Sequence, residues 1–173
     1  MVSLGLEDKV ILVTGGNQGI GAAIVSLLSE LGAKVAYTDI KVTEGKSGAL
    51  GLQVDVTDLA AMEAAATEIE AKLGPVYGIV ANAGITRDNF YNKLTPQDWD
   101  AVINVNLKGV DHTIRPFING MYERGAGAIV CISSISGDRG NAGQANYAAT
   151  KAAVIGLVKS LAREAARYGV RAN

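Results

Sequence analysis

The sequence of 173 residues contains few of the residues that define secreted, membrane or metal-binding proteins. Its one cysteine, Cys131, excludes an intrachain disulfide and a cysteine-rich metal site, so we expect a reducing compartment. No apolar run reaches the ~18 residues of a membrane helix, and residues 1–9 lack the pattern of a secretory signal. The net charge of −1 is far from the basic excess of nucleic-acid binders. These absences predict a soluble, cytoplasmic protein.

Proline is scarce at 3 residues, whereas glycine is abundant at 21. Glycine therefore makes up about 12% of the chain, where roughly 7% is usual, and no collagen-like period accompanies it. Scattered glycines of this kind indicate tight turns and close backbone approaches. The length suits one domain, and no linker or internal repeat divides the chain.

Short apolar runs rich in β-branched residues alternate with helical patterns along the chain. The pattern predicts strands at 10–13, 34–38, 50–54, 76–81 and 128–133, and helices at 20–31, 59–73, 96–124 and 146–168. Such alternation predicts the α/β class, with a Rossmann-like doubly wound parallel sheet and helices on both faces. Residues 40–50 leave little room for a helix between the second and third strands, so we expect an open edge there.

A glycine-rich loop lies between the first predicted strand and the first predicted helix. It reads Thr14-Gly-Gly-Asn-Gln-Gly-Ile-Gly21, and its backbone N–H groups and the positive helix end can hold a pyrophosphate. The strand-turn-helix context makes this spacing a dinucleotide-binding signal rather than a bare glycine turn. The predicted contacts with the cofactor are Gly15, Asn17, Gln18, Gly19, Ile20 and Gly21.

An acidic residue, Asp39, follows the second predicted strand, 18 residues after Gly21. This is close to the spacing of ~20 expected for the carboxylate that binds the adenosine ribose hydroxyls. A carboxylate there repels a 2′-phosphate by ~1 kcal/mol in water and ~4 kcal/mol at an intermediate dielectric. The glycine loop contains no basic residue, so we expect NAD(H) to be favoured over NADP(H), although Lys41 lies nearby.

Tyr147 and Lys151 begin the last predicted helix at i and i+4, so their side chains project from one face. A tyrosine with its ordinary pKa of about 10 is a weak acid near neutrality. Bringing such a phenol to a pKa near 7 requires roughly 4 kcal/mol of selective phenolate stabilisation. An adjacent lysine ammonium can supply part of that field. Three serines, Ser133, Ser134 and Ser136, stand at the end of the preceding strand.

These features resemble the short-chain dehydrogenase/reductase family. Six ordered motifs cover nearly the whole chain: TGxxxGxG at 14–21, Asp55-Val56, Asn82-Ala83-Gly84, Asn106, Ser134, and YxxxK at 147–151. Ser134 is preferred to its neighbours because the family's serine stands 13 residues before the tyrosine.

The resemblance implies a role for each matching residue. Tyr147 is expected to be the general acid in carbonyl reduction, and Ser134 to hydrogen-bond the substrate oxygen. Lys151 is expected to bind the nicotinamide ribose and favour the phenolate, and Asn106 to hold a water that links Lys151 to solvent. The remaining cofactor contacts are expected from Asp55, Val56, Asn82, Ala83 and Gly84, and Tyr147 is also expected to contact the cofactor. The cofactor supplies the hydride, and no metal is needed.

Within the family, the segments 82–88, 99–103 with 106–107, and 140–147 are most similar to 3-oxoacyl-(acyl-carrier-protein) reductases and acetoacetyl-CoA reductases, which suggests a role in fatty acid biosynthesis. Sugar, polyol and steroid dehydrogenases share this scaffold and stay open as alternatives. Gln18 departs from the basic residue found in many NADPH-dependent acyl-carrier reductases. The substrate is expected to be a small or carrier-bound acyl group, with no nucleic acid and no membrane as partners.

Several expectations concern surfaces. Arg124, Arg163 and Arg167 are candidates for contacts with an acidic carrier protein or CoA phosphates, although a solvated helix face explains them equally well. His112 and Cys131 are expected to be packing residues rather than catalytic groups. The resemblance implies a homotetramer. Residues 169–173 resemble the start of a sixth strand, so we expect the catalytic domain to lack its C-terminal part. A non-catalytic dinucleotide-binding fragment therefore stays open.

Overall fold

Six short parallel strands form one sheet in the computed structural model, which describes residues 4–43 and 48–173. The strands are Val10–Thr14 (β1), Lys34–Asp39 (β2), Leu50–Gln53 (β3), Val76–Ala81 (β4), Gly127–Cys131 (β5) and Val170–Ala172 (β6). Their order is β3-β2-β1-β4-β5-β6, with every neighbouring pair parallel. All five residues of β1 are buried, because this central strand is covered on both faces. The predicted fold class is confirmed.

Six α-helices connect or flank the strands. They are Gly19–Glu30 (α1), Leu59–Leu73 (α2), Pro96–Ile103 (α3), Gly109–Arg124 (α4), Ile135–Arg139 (α5) and Ala145–Ala165 (α6). Local sequence sets several of their starts. The Asp58 side chain caps α2 by accepting from the N–H of Ala61, and Thr95 caps α3 by accepting from the N–H of Asp98.

The sheet separates a large core from a small one. The large core joins β1, β4 and β5 to α2, α4 and α6, and its largest fully buried side chains include Leu12, Met62 and Phe117. On the opposite face, Val25 of α1 packs against Val13 and Tyr37 in a smaller cluster. Successive side chains of a strand point to opposite faces, which explains how one sheet serves both cores.

The structure differs from the predicted elements by more than one residue in the regions 104–108, 131–139 and 165–168. The helical stretch 96–124 is interrupted by a π-helical turn at Asn104–Lys108. The fifth strand ends at Cys131 rather than at residue 133, and the short helix α5 was not predicted. The last helix ends at Ala165 and continues as a 3₁₀ turn over Ala166–Tyr168. A sixth strand forms at Val170–Ala172, as the sequence indicated.

The strand order reverses between β1 and β4. The chain leaves β1 toward β2 on one side and returns from β3 to β4 on the other. In a doubly wound sheet, this reversal opens a crevice at the carboxyl ends of the two central strands. The glycine loop after β1 and residues 82–84 after β4 therefore face each other. The described residues between β2 and β3, 40–43 and 48–49, contain no helix, and residues 44–47 lie outside the described part.

Candidate active site

The glycine loop is fastened to the end of β2. The N–H groups of Gly15 and Gly16 donate to the carbonyl oxygen of Thr38 at 2.7 and 3.1 Å. Gly21 lies so close to the loop that an added Cβ would overlap the Gly15 carbonyl oxygen and stand 2.7 Å from Asn82 Nδ2. The close approach of loop, helix and β4 therefore depends on glycine at position 21.

Thr14 joins the two sides of the crevice. Its Oγ1 accepts hydrogen bonds from the N–H groups of Asn82 and Ala83, both at 3.2 Å. In return, Asn82 Nδ2 donates to the carbonyl oxygens of Thr14 at 3.0 Å and Gly15 at 3.3 Å. Our prediction of site residues missed Thr14, although its place at the head of the glycine motif was a signal. It positions the predicted cofactor residues 82 and 83.

A cleft of about 830 Å³ opens between these loops. Its volume falls within the range of cofactor and ligand pockets. Twelve predicted cofactor residues line the cleft: Gly15, Asn17, Gln18, Gly19, Ile20, Gly21, Asp39, Asp55, Val56, Asn82, Ala83 and Gly84. Tyr147 and Lys151, also predicted to contact the cofactor, are not among its lining residues. The structure thus brings together residues from four separate segments of the chain.

Asp39 lies at the rim of this cleft, at the end of β2. Its Oδ2 accepts from the backbone N–H of Asn17 at 3.0 Å, and its Oδ1 accepts from that of Lys41 at 3.3 Å. An ionised carboxylate has about four lone-pair sites, so acceptor capacity remains for ribose hydroxyls. Asp55 is held differently, because its Oδ1 accepts from both the N–H and the hydroxyl of Thr57 at 2.8 Å.

The predicted pair Tyr147 and Lys151 stands in the first two turns of α6. Lys151 Nζ lies 5.6 Å from the Tyr147 ring centroid and donates to the carbonyl oxygen of Ile132 at 2.6 Å. Lys151 is 3% exposed, and this burial lowers the pKa of its ammonium group, while the Cys131 thiol acts in the opposite direction. A buried cation beside the phenol can stabilise negative charge on Tyr147.

Asn106 lies in the π-helical turn and is fully buried. Its side-chain amide forms two hydrogen bonds with the backbone of Ile85. Asn106 Oδ1 accepts from the N–H at 2.8 Å, and Asn106 Nδ2 donates to the carbonyl oxygen at 2.9 Å. It also donates to Thr150 Oγ1 at 3.4 Å. A Cβ added at Gly84 would lie 3.4 Å from Asn106 Oδ1 and 3.8 Å from Lys151 Nζ, so Gly84 connects the cleft with these two side chains.

Hydrogen bonding distinguishes Ser134 from its two neighbours. Ser133 Oγ donates to the Lys151 carbonyl oxygen at 2.9 Å, and Ser136 Oγ donates to Gln144 Oε1 at 3.0 Å. Ser134 caps α5, and its Oγ accepts from the N–H of Ser136 at 3.2 Å. Within residues 4–43 and 48–173, no acceptor takes the Ser134 hydroxyl proton. The Ser134 hydroxyl is therefore the one of the three that is free to donate to another group, and its role toward a substrate oxygen stays a prediction.

Cys131 is a buried residue at the end of β5, and burial raises the pKa of its thiol to about 11. Its thiolate fraction at pH 8 is then roughly two hundredfold below that of a free cysteine. We expect iodoacetamide to label the native protein at pH 8 at least about a hundredfold more slowly than the urea-unfolded protein. Mass spectrometry of timed samples measures both rates, and equal rates would contradict the buried position.

The basic residues proposed for a carrier partner lie away from the cleft within this chain. Arg124 Nη2 donates to the carbonyl oxygen of Val76 at 2.7 Å, at the amino end of β4 and therefore opposite the crevice. Arg163 lies 16 residues beyond Tyr147 on α6, a distance of about 24 Å along the helix axis. The Arg167 guanidinium lies 4.8 Å from the centroid of the Tyr168 ring. His112 is half-buried on α4, and its Nδ1 is 3.0 Å from the Val56 carbonyl oxygen.

The switch-point cleft, the glycine loop and the Tyr-Lys pair are features of a Rossmann-like nucleotide-dependent oxidoreductase. The model of the short chain dehydrogenase family matches residues 9–173, and the chain belongs to this family. Within the described part of the chain, no helix is long and apolar enough to cross a membrane.

Similar proteins support this assignment along the whole chain. An acetoacetyl-CoA reductase of Synechocystis sp. is 73% identical over 173 residues, which cover all of this chain and 72% of that protein. An acetoacetyl-CoA reductase of Rhizobium meliloti is 46% identical, with 96% of this chain and 71% of that protein covered. A 3-oxoacyl-[acyl-carrier-protein] reductase FabG of Vibrio harveyi is 42% identical, with 98% and 72% covered.

Proposed function

We propose that this protein reduces 3-oxoacyl thioesters, carried on CoA or acyl-carrier protein, to 3-hydroxyacyl thioesters. The observation that carries the proposal is the Tyr147–Lys151 pair on α6, with Lys151 Nζ 5.6 Å from the centroid of the Tyr147 ring and 3.8 Å from a Cβ added at Gly84, a residue that lines the cleft. The names of the similar proteins point to the 3-oxoacyl thioester as substrate class. Residues 1–173 act as one NAD(P)-binding catalytic domain in this proposal.

Residues of this chain donate the proton to the substrate oxygen and stabilise the negative charge that develops there. When bound, the nicotinamide cofactor supplies a hydride to C3 of the substrate. Tyr147 donates its phenolic proton to the oxygen on C3, while the free hydroxyl proton of Ser134 hydrogen-bonds the same oxygen as negative charge develops there. Lys151, buried beside Tyr147, stabilises the phenolate left behind, and Asn106 holds a water that returns protons from solvent.

Purified protein tests the proposal with NADH and NADPH against acetoacetyl-CoA, a polyol-derived ketone and a steroid ketone. We expect cofactor oxidation with acetoacetyl-CoA and a higher kcat/KM for it than for the other two. Activity confined to another ketone would assign a different dehydrogenase substrate. Cofactor binding without turnover on any of them would favour the non-catalytic dinucleotide-binding reading.

We further propose that NAD(H) is the favoured cofactor, because the Asp39 carboxylate lines the cleft at the end of β2, where the adenosine ribose is expected to bind. Replacing Asp39 by Ala removes the charge that repels a 2′-phosphate. We expect the ratio of kcat/KM for NADH over NADPH to fall by at least about fivefold, the ratio that ~1 kcal/mol corresponds to.

Asp39→Asn is the matched control for charge. It keeps one oxygen acceptor, which can serve one of the two backbone N–H groups that the Asp39 carboxylate binds, and it removes the negative charge. A similar fall in both variants assigns the selectivity to charge. An unchanged ratio in Asp39→Ala would show that another residue recognises the ribose.

We also propose that the protein is a homotetramer with α4 and α6 at a subunit contact. A groove of about 390 Å³ runs between these helices. It is lined by apolar side chains together with a few polar and charged ones: Ile114, Ile118, Tyr122, Leu157 and Leu161, with Asp111, Arg115, Ser160 and Glu164. Light scattering at several concentrations measures the mass, and a monomer throughout would overturn this assembly.

A further inference from the structure

Two residues that lie 26 positions apart meet at the adenosine end of the cleft. Asn17, in the glycine loop, accepts two hydrogen bonds on its Oδ1 from Thr43. The Thr43 backbone N–H is 3.1 Å away and the Thr43 hydroxyl is 2.9 Å away. Both bonds are exposed and belong neither to the sheet nor to a helix. They connect the segment that follows β2 to the glycine loop that follows β1.

The same residue also holds the acid at the cleft rim. The backbone N–H of Asn17 donates to Asp39 Oδ2 at 3.0 Å, while the backbone N–H of Lys41 donates to Asp39 Oδ1. The Tyr37 hydroxyl donates to the Thr43 carbonyl oxygen at 3.2 Å and anchors the far end of the segment on β2. Residues 39–43 are therefore bonded to the glycine loop through both the main chain and the side chain of Asn17.

We propose that Asn17 and Thr43 form a positioning pair that fixes the cofactor preference at the adenosine 2′ position. Two lone-pair directions of the Asp39 carboxylate are already taken by backbone N–H groups, and the remaining ones can accept from ribose hydroxyls. A 2′-phosphate needs the carboxylate and the main chain after it to move outward. The two bonds from Thr43 to Asn17 oppose that movement.

The pair acts through Asp39, so this inference rests on the proposed use of NAD(H). One further result is expected that does not follow from the charge of Asp39 alone. When the pair is broken, the carboxylate stays in place with its charge, but the segment that carries it can move. Binding of NADH should weaken and discrimination against NADPH should fall, although the charge is unchanged.

Direct binding is measured by fluorescence titration of NADH and NADPH, together with KM and kcat. Asn17→Ala removes both bonds from Thr43 and keeps the backbone N–H that binds Asp39. We expect its Kd ratio, NADPH over NADH, to fall five- to tenfold, which corresponds to about 1 to 1.4 kcal/mol. The effect should reside in KM for the cofactor rather than in kcat, because the pair lies away from the reacting atoms.

Substitutions of Thr43 test the contribution of its hydroxyl bond separately. Thr43→Val removes only the hydroxyl bond and should lower the ratio less than Asn17→Ala does. Thr43→Ser keeps the hydroxyl and should restore the parent ratio. Thr67→Val is the matched control, since the Thr67 hydroxyl bonds only within α2, to the Glu63 carbonyl oxygen. It should leave both Kd values unchanged.

A double-mutant cycle separates this inference from a general loosening of the loop. If the two residues act through one contact, Thr43→Val adds nothing in the Asn17→Ala background. Equal weakening of both cofactors, or additive effects of the two changes, would overturn the proposal. The Kd ratio of the parent protein, NADPH over NADH, tests the role of Asp39 separately. A preference for NADPH would refute NAD(H) selection. The double-mutant cycle would still measure the coupling of Asn17 to Thr43.

Discussion

Replacing Tyr147 by Phe should reduce kcat for acetoacetyl-CoA reduction by about 10²–10⁴-fold, the range observed for loss of a general acid. The change removes one oxygen and its proton, while the ring that packs beside Lys151 stays. The Kd of NADH or NADPH should change far less than kcat, because Lys151 and the twelve predicted cofactor residues that line the cleft are unchanged, and the lost hydroxyl acts mainly when charge develops on the substrate oxygen. Stopped-flow or steady-state absorbance of the reduced nicotinamide measures the rate, and fluorescence titration measures binding.

Tyr77→Phe is the matched control, since it removes the same atom at the amino end of β4. The Tyr77 ring lies 4.6 Å from Lys9 Nζ, far from the cleft loops. This variant should reduce acetoacetyl-CoA at the parent rate. A Tyr147→Phe protein that retained the parent kcat would show that another group donates the proton.

Replacing Gly21 by Ala should abolish tight cofactor binding and destabilise the fold. The added Cβ would overlap the Gly15 carbonyl oxygen and crowd Asn82 Nδ2, so the loop backbone must shift. Overpacking against backbone atoms costs about 3 kcal/mol. For a domain of this size, that corresponds to a fall in Tm of roughly 6–12 °C. Thermal denaturation and cofactor titration measure the two effects.

Gly19→Ala is the matched control, because it makes the same chemical change in the same loop. No atom lies within 4 Å of a Cβ at Gly19, although its φ of +56° falls in the left-handed region. Its cost should be about 1–2 kcal/mol, set by backbone conformation alone. Equal destabilisation by the two changes would show that crowding at Gly21 is not the cause.

Strong periodic signals predicted most of the fold. The run Val10-Ile-Leu-Val13 became the central strand, and β4 formed at 76–81 as expected, because buried parallel strands have short apolar sequences bounded by breakers. The glycine loop was equally visible, since close approach of backbone to ligand leaves few alternatives to glycine. Twelve of the residues that these local patterns identified line one cleft in the structure.

Contacts between distant side chains could not be read from the sequence. Nothing in the periodicity of 96–124 indicates the π turn at Asn104–Lys108, in which Asn106 bonds to the backbone of Ile85, 21 positions away. The short helix α5 spans only five residues and has no repeat to detect. The bond from Arg124 to the start of β4 joins residues 48 positions apart, so its position opposite the cleft became clear only from the fold.

The most direct test of the central claim is the transfer of label from reduced nicotinamide to substrate. Incubation of the protein and acetoacetyl-CoA with reduced cofactor that carries deuterium at both positions of nicotinamide C4 is followed by mass spectrometry of the product. We predict 3-hydroxybutyryl-CoA with deuterium on C3, formed by the parent protein and lost in the Tyr147→Phe variant. Oxidised cofactor without deuterium on C3, or no labelled product despite measured cofactor binding, would contradict the assignment.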